Sequence, residues 1–132
     1  MRGGLLDTLV VLRFLLAPKK LSDPATRILE DPSIRLYYSS ASLWEIAIKL
    51  SVGGFRDLRL PDDWEILFPQ ALLDSSIERL DIEANDCKRV ENLPFHHRDP
   101  FDRMLVAQSI GRGLDIVSSD AGFDAYGVRR IW

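Results

Sequence analysis

Short apolar runs alternate with longer helical patterns along the 132-residue chain, and this regularity constrains its fold more than any other feature. The runs at 3–7, 34–39, 78–82, 114–118 and 128–132 carry the aliphatic, aromatic and β-branched residues of buried strands. Each interval holds at least one helical pattern. Consecutive parallel strands need a helical crossover, whereas antiparallel neighbours need only a turn, so the alternation predicts an α/β layer fold with a mainly parallel sheet. No repeat, low-complexity tract or linker interrupts it, and residues 1–132 read as a single domain.

Helix punctuation is clear at several points. Residues 9–16 are largely apolar and stop at Pro18, which predicts a buried helix. Ser22 suits an N-cap, with Pro24 in the first turn and Ala25, Ile28 and Leu29 facing inward. Ser42-Leu43-Trp44-Glu45 has the S-x-x-E form of a capping box, opening a helix to about Leu50 that Gly53-Gly54 breaks. Pro61 predicts the first turn of a helix over 61–75, kinked at Pro69. A further helix spans 83–93. Another begins near Asp99-Pro100, runs through Leu105 and Ile110, and stops at Gly111 and Gly113. A short helical turn is expected over 120–126.

Composition excludes some classes. Formal net charge is -3, unlike the strongly basic balance of proteins that coat nucleic acid through bulk charge. An acidic, cation-binding pocket remains compatible with it, since a few local basic residues can still hold phosphates. No apolar run reaches the ~18 residues of a membrane span, and no secretory signal is evident, so no membrane association and a cytoplasmic location are expected. The single cysteine, Cys87, cannot close an intramolecular disulfide; a small buried side chain is the reading.

Four acids fall where the topology would gather them. Asp7 ends the first strand, and Asp120 lies just past the fourth. Glu45 and Asp102 sit in the first turns of their predicted helices. Ligands of open parallel sheets bind beyond the carboxyl ends of the strands, and carboxylates gathered there repel unless a cation neutralises them. Oxygen donors select Mg²⁺ or Mn²⁺, and the matching chemistry is phosphodiester hydrolysis. Singly, each acid also has a structural reading as a cap, turn or first-turn residue. Their joint placement favours a site.

Longer motifs point further. Leu5-Leu6-Asp7-Thr8, the run from Ser40 to Lys49 (SASLWEIAIK), the run from His96 to Gln108 (HHRDPFDRMLVAQ), Ile116-Val117-Ser118-Ser119-Asp120 and Tyr126-Gly127-Val128 resemble, in order, the motifs of the PIN-domain family and its VapC-like toxins. The resemblance implies a three-layer fold with a five-stranded parallel sheet flanked by helices. It implies a Mg²⁺- or Mn²⁺-dependent endoribonuclease, a homodimer, and a cognate antitoxin. Asp7, Glu45, Asp102 and Asp120 fall on the family's metal-binding, catalytic acids. Ser118 stands where a hydroxyl residue is usual and, with Thr8, would orient a carboxylate or water. Leu9 departs from the His that close relatives often carry after the Asp-Thr pair, and Gly3-Gly4 makes the first strand less β-prone.

The remaining residues divide between scaffold and substrate. Adjacent His96 and His97 suit a loop or RNA contact better than metal ligation. Trp44, Phe55, Trp64 and Phe68 read as core. Lys49, Arg98, Arg103 and Arg112 flank the acidic segments, with Lys49, Arg98 and Arg103 as phosphate-contact candidates. Alternatives are a catalytically silent binding module of the same fold and an aspartyl-phosphate phosphatase at Asp7-Thr8, the latter opposed by Leu9 where a second Asp would stand.

Overall fold

The computed structural model describes residues 2–132. In chain order the elements are β1 (Gly4–Leu6), α1 (Thr8–Leu16), α2 (Asp23–Glu30), β2 (Leu36–Ser39), α3 (Ser40–Ser51), α4 (Trp64–Asp74), β3 (Ile77–Leu80), α5 (Ala84–Glu91), α6 (Pro100–Arg112), β4 (Asp115–Val117) and β5 (Arg130–Ile131). Short 3-10 segments cover Pro18–Lys20 and Ala121–Tyr126. The five strands form one sheet in the order β3-β2-β1-β4-β5, every pair parallel.

The order contains a reversal. The chain steps outward from β1 through β2 to β3, then crosses to the other side of β1 to lay down β4 and β5. The C-terminal ends of β1 and β4 therefore border the crevice where successive connections diverge. Burial fixes both faces of the central strand. Leu6 and Val117 pack with Val10, Val11, Ala25 and Leu72 on one face, while Leu5 and Ile116 pack with Leu105, Val106 and Phe123 on the other. Alternate strand residues thus enter opposite cores, and the molecule is three-layered as expected. A third cluster joins Leu12 of α1, Ile46 of α3 and Phe68 of α4.

Glycines explain two local features. A Cβ on Gly3 would lie 2.9 Å from a Leu114 side-chain carbon and 3.1 Å from the Arg35 carbonyl oxygen, so the weak β propensity there accompanies close packing of the entering chain. Gly113 adopts φ +65 and caps α6 in the left-handed conformation that favours glycine. Gly111, read from sequence as a helix stop, lies within α6, where its bare Cα leaves room for the Arg89 guanidinium.

Other boundaries differ for identifiable reasons. Ser39, not Ser42, caps α3: its hydroxyl accepts from the Ala41 N–H, and β2 passes directly into the helix. With the helix begun three residues earlier, Ser42 is a buried interior residue bonded to Thr8 and Glu45 lies in the second turn, so the expected Ser42–Glu45 capping box does not form. Half of such a box appears at α5, where the Asp86 carboxylate accepts from the Glu83 N–H. Pro61 sits in a turn whose carbonyl accepts from the Trp64 N–H, and α4 starts only at Trp64, with Pro69 inside it. Cys87 is exposed, not buried, because it lies on the outer side of α5. Among the described residues no helix is long and apolar enough to cross a membrane.

Candidate active site

All four predicted acids line one cleft of about 200 Å³ at the divergence point of the sheet. Asp7 follows β1 as the N-cap of α1, and its carboxylate accepts from the Val10 N–H at 2.8 Å. Glu45 enters from α3, Asp102 from the first turn of α6, and Asp120 from the turn after β4. Thr8, Leu9, Lys49, Phe55, Asp99 and Ser119 complete the wall.

Local hydrogen bonds hold these groups in place. The Ser118 hydroxyl donates to Asp7 Oδ2 and accepts from the Asp120 N–H at 2.9 Å, linking two acids through one side chain. The Asp120 carboxylate accepts from the Gly122 N–H at 2.8 Å. Thr8 donates to Ser42 at 2.9 Å in a buried hydroxyl pair that fastens the start of α1 to α3. Asp99 caps α6, accepting from the Phe101 and Asp102 N–H groups at 2.8 and 3.1 Å.

The electrostatics are unfavourable without a cation. Burial raises the Asp7 carboxyl to about 6, with Glu45 and Asp120 adding to the rise and the Ser118 and Val10 hydrogen bonds opposing it. Asp102 is raised to about 7 by burial first, then by repulsion from Asp99, Glu45, Asp7 and Asp120. Lys49 provides a partial counter-charge, its Nζ 3.7 Å from Glu45 Oε2 on the next turn. Hard oxygen donors in this number suit a Mg²⁺- or Mn²⁺-sized ion by chemistry and charge. Among the described residues no group of three or more His, Cys, Asp or Glu side chains is already drawn together as an ion cage.

Several further residues have scaffold positions. Arg103, expected to contact phosphate, is 5% exposed. Its guanidinium donates to the carbonyls of Pro94, Val90 and Leu93, so it ties the end of α5 and the following loop to α6 and has no reach to the cleft. Arg112 pairs with Asp86 at 2.7 Å, and Arg98 is exposed outside the cleft. His97 serves the loop: its N–H donates to the Tyr126 hydroxyl at 2.7 Å, its ring meets Phe123 edge-on, and its Nε2 lies against Gly122, where a Cβ would collide. Phe68 is core, while Phe55 and Trp64 are partly buried against it. Trp44 is 60% exposed: it lies on the face of α3 opposite the buried Ala41, Ser42, Glu45 and Ile46 and meets Phe101 edge-on.

Arg130, unremarkable in sequence, is also part of this framework. It donates through Nη1 to the Ser118 carbonyl at 3.1 Å and through Nε to Asp124 at 2.9 Å, closing the segment that carries Ser118 and Asp120. Only a closing strand beside β4 brings it there. The lone available signal was an arginine in the last strand.

Fold and site together define a parallel α/β domain with a carboxylate-lined crevice at its switch point. The chain belongs to the PIN-domain family, whose sequence profile matches residues 4–128. Solved structures agree on the fold. A chain of VapBC2 from Rickettsia felis, bound to a DNA fragment from their promoter, superposes with a TM-score of 0.69 at 16% identity, covering 96% of each chain. FitAcB from Neisseria gonorrhoeae gives 0.59 at 19% identity, covering 96% of this chain and 95% of that one. VapBC-5 from Mycobacterium tuberculosis, a member of the VapBC family of toxin–antitoxin systems, gives 0.58 at 18%, covering 95% and 90%. No curated protein sequence matches the chain.

Proposed function

We propose that this protein is a metal-dependent endoribonuclease, acting as the toxin of a toxin–antitoxin pair. The observation carrying the chemistry is the convergence of Asp7, Glu45, Asp102 and Asp120 on one crevice, where burial and mutual repulsion hold two of them reluctant to ionise. These four side chains would hold Mg²⁺ or Mn²⁺. When bound, such an ion supplies charge neutralisation, a lowered pKa for the attacking water, and stabilisation of charge developing on the phosphate.

The chain's own residues supply the positioning. Ser118 fixes the Asp7 carboxylate and, through its hydroxyl, the backbone at Asp120. Lys49 limits repulsion at Glu45 and faces the cleft, where it can meet a substrate phosphate. Leu9 and Phe55 close one side with apolar surface. In the reaction, water oxygen bonds to phosphorus as the bridging phosphorus–oxygen bond breaks, and the leaving oxygen takes up a proton.

The toxin role is supported by the fold shared with chains of VapBC and FitAB complexes. On this reading the partners are RNA, a cognate antitoxin and a second copy of the chain, and the location is cytoplasmic. Trp44 and Ile48 of α3, with Val52 at its C-cap, form an exposed apolar stripe suited to covering by another chain.

The test uses purified protein, total RNA and Mn²⁺, with mapping of cut ends. Cleavage should stop in EDTA, and Asp7→Asn and Asp102→Asn should each reduce it at least about 100-fold while leaving the circular dichroism spectrum native. Undiminished cleavage by both variants would overturn the assignment.

A further inference from the structure

The acidic cleft shares two wall residues with a neighbouring pocket of opposite character. Leu9 and Phe55 line both. Beyond them a depression of about 190 Å³ is lined by Arg13, Lys20 and Arg56, with Asp57 as the one carboxylate among its lining residues. Three cations against one anion make this recess locally basic on a chain whose net charge is -3. Lys20 and Arg56 are exposed, and among the described residues Arg13, Lys20 and Arg56 form no ion pair. Their charge is thus available to a ligand. Arg13 is held from behind, its guanidinium 5.7 Å from the centre of the Trp132 ring.

Helix geometry connects the two pockets. Asp7 caps α1, and Leu9 and Arg13 follow on one face, four residues or about 6 Å apart along the axis. A chain leaving the acids past Leu9 therefore meets Arg13 within roughly one nucleotide. Phe55 stands at the junction with Lys49 Nζ 5.3 Å from its ring centre, an aromatic face beside a cation. Aromatic faces flanked by basic grooves accept unpaired bases without sequence preference.

We infer that the Arg13–Lys20–Arg56 recess is a phosphate subsite for single-stranded RNA, seating the backbone next to the scissile linkage while Phe55 supports a base between the two pockets. The inference rests on the nuclease reading of the acidic cleft. It replaces Arg103, which is buried, with residues that no local acidic motif marks. It also gives Leu9 a role as the partition between the cation site and the phosphate site.

The test measures binding apart from cleavage. An unstructured, fluorescent oligoribonucleotide is titrated in EDTA against the wild-type protein, the Lys20→Gln/Arg56→Gln double variant, and Arg98→Gln, at several salt concentrations. Lys20 and Arg56 are exposed, so the double variant should melt like the wild type. It should bind about tenfold more weakly, and its log Kd against log salt slope should be shallower by about 1.4, the value for two lost single-strand phosphate contacts. Arg98→Gln should change affinity less than about twofold. Unchanged affinity and slope in the double variant, or an equal loss in Arg98→Gln, overturns the subsite. If the wild type cleaves no RNA in Mn²⁺ yet the double variant still shows the loss, the nuclease reading fails, and the recess stands as a single-strand phosphate site without a scissile linkage beside it.

Discussion

At the scale of single residues, Asp7 and Asp102 set the pH behaviour. Both carboxyls are raised from 3.8, to about 6 and about 7, chiefly by burial. Between pH 4 and 7 these two groups therefore hold more protons in the folded chain than in the unfolded one, and their contribution to stability falls as pH rises through that window. The stabilisation from these two groups is complete below their unfolded value and is lost as pH passes their folded values. Without metal, the melting temperature should be higher at pH 5 than at pH 8, and Asp102→Asn should raise it at pH 8 by about 2–5 °C. A calorimetric scan in EDTA checks both; a melting temperature that climbs from pH 5 to 8 contradicts the assignment. Mn²⁺ should reverse the trend, because the ionised carboxylates then gain a ligand that binds only the folded state. Ser118→Ala removes a hydrogen bond that favours the Asp7 carboxylate, so it should move the acidic limb of the pH–rate profile upward.

At the scale of elements, the segment after β4 depends on Arg130 from β5. Its guanidinium joins the Ser118 carbonyl to Asp124, bracketing Asp120 between two fixed points. Burial of Arg130 is partial, so Arg130→Met should fold, yet on the proposed function it should weaken Mn²⁺ binding about tenfold, as expected when the support of a proposed metal ligand, Asp120, is removed. Isothermal titration against the variant reads this directly, and unaltered affinity would show that the segment holds itself. The elements also show where sequence patterns mislead. SASLWE contains a capping signature, but the helix begins one strand-end earlier, because Ser39 caps α3 as β2 ends. Capping depends on where a strand stops pairing, which S-x-x-E spacing does not encode. Residue type alone points Trp44 and Cys87 inward, yet both face out, because the rotation of a helix is fixed by its neighbours.

At the scale of the whole molecule, the α3 stripe gives the homodimer proposal its test. Trp44→Glu should lower the dimer fraction in sedimentation velocity at micromolar concentration while the circular dichroism spectrum stays native, since Trp44 is 60% exposed. An unchanged sedimentation coefficient would remove that face as the interface.

Strand–helix alternation, the apolar strands and the positions of the four acids relative to strand and helix ends were all written locally. Backbone pairing and side-chain period act over a few residues, so a parallel α/β domain with acids at one edge could be read from the chain itself. Motif resemblance then narrowed the family. What only the tertiary structure decided is the company each side chain keeps. Strand order places β4 beside β1 and so joins Ser118 to Asp7 across 111 residues. Packing buries Arg103 on carbonyls, while Arg56, from beyond α3, meets Arg13 and Lys20 at the end of α1 and the turn that follows it. Burial and charge act through space rather than along sequence, so only the folded chain could assign those partners.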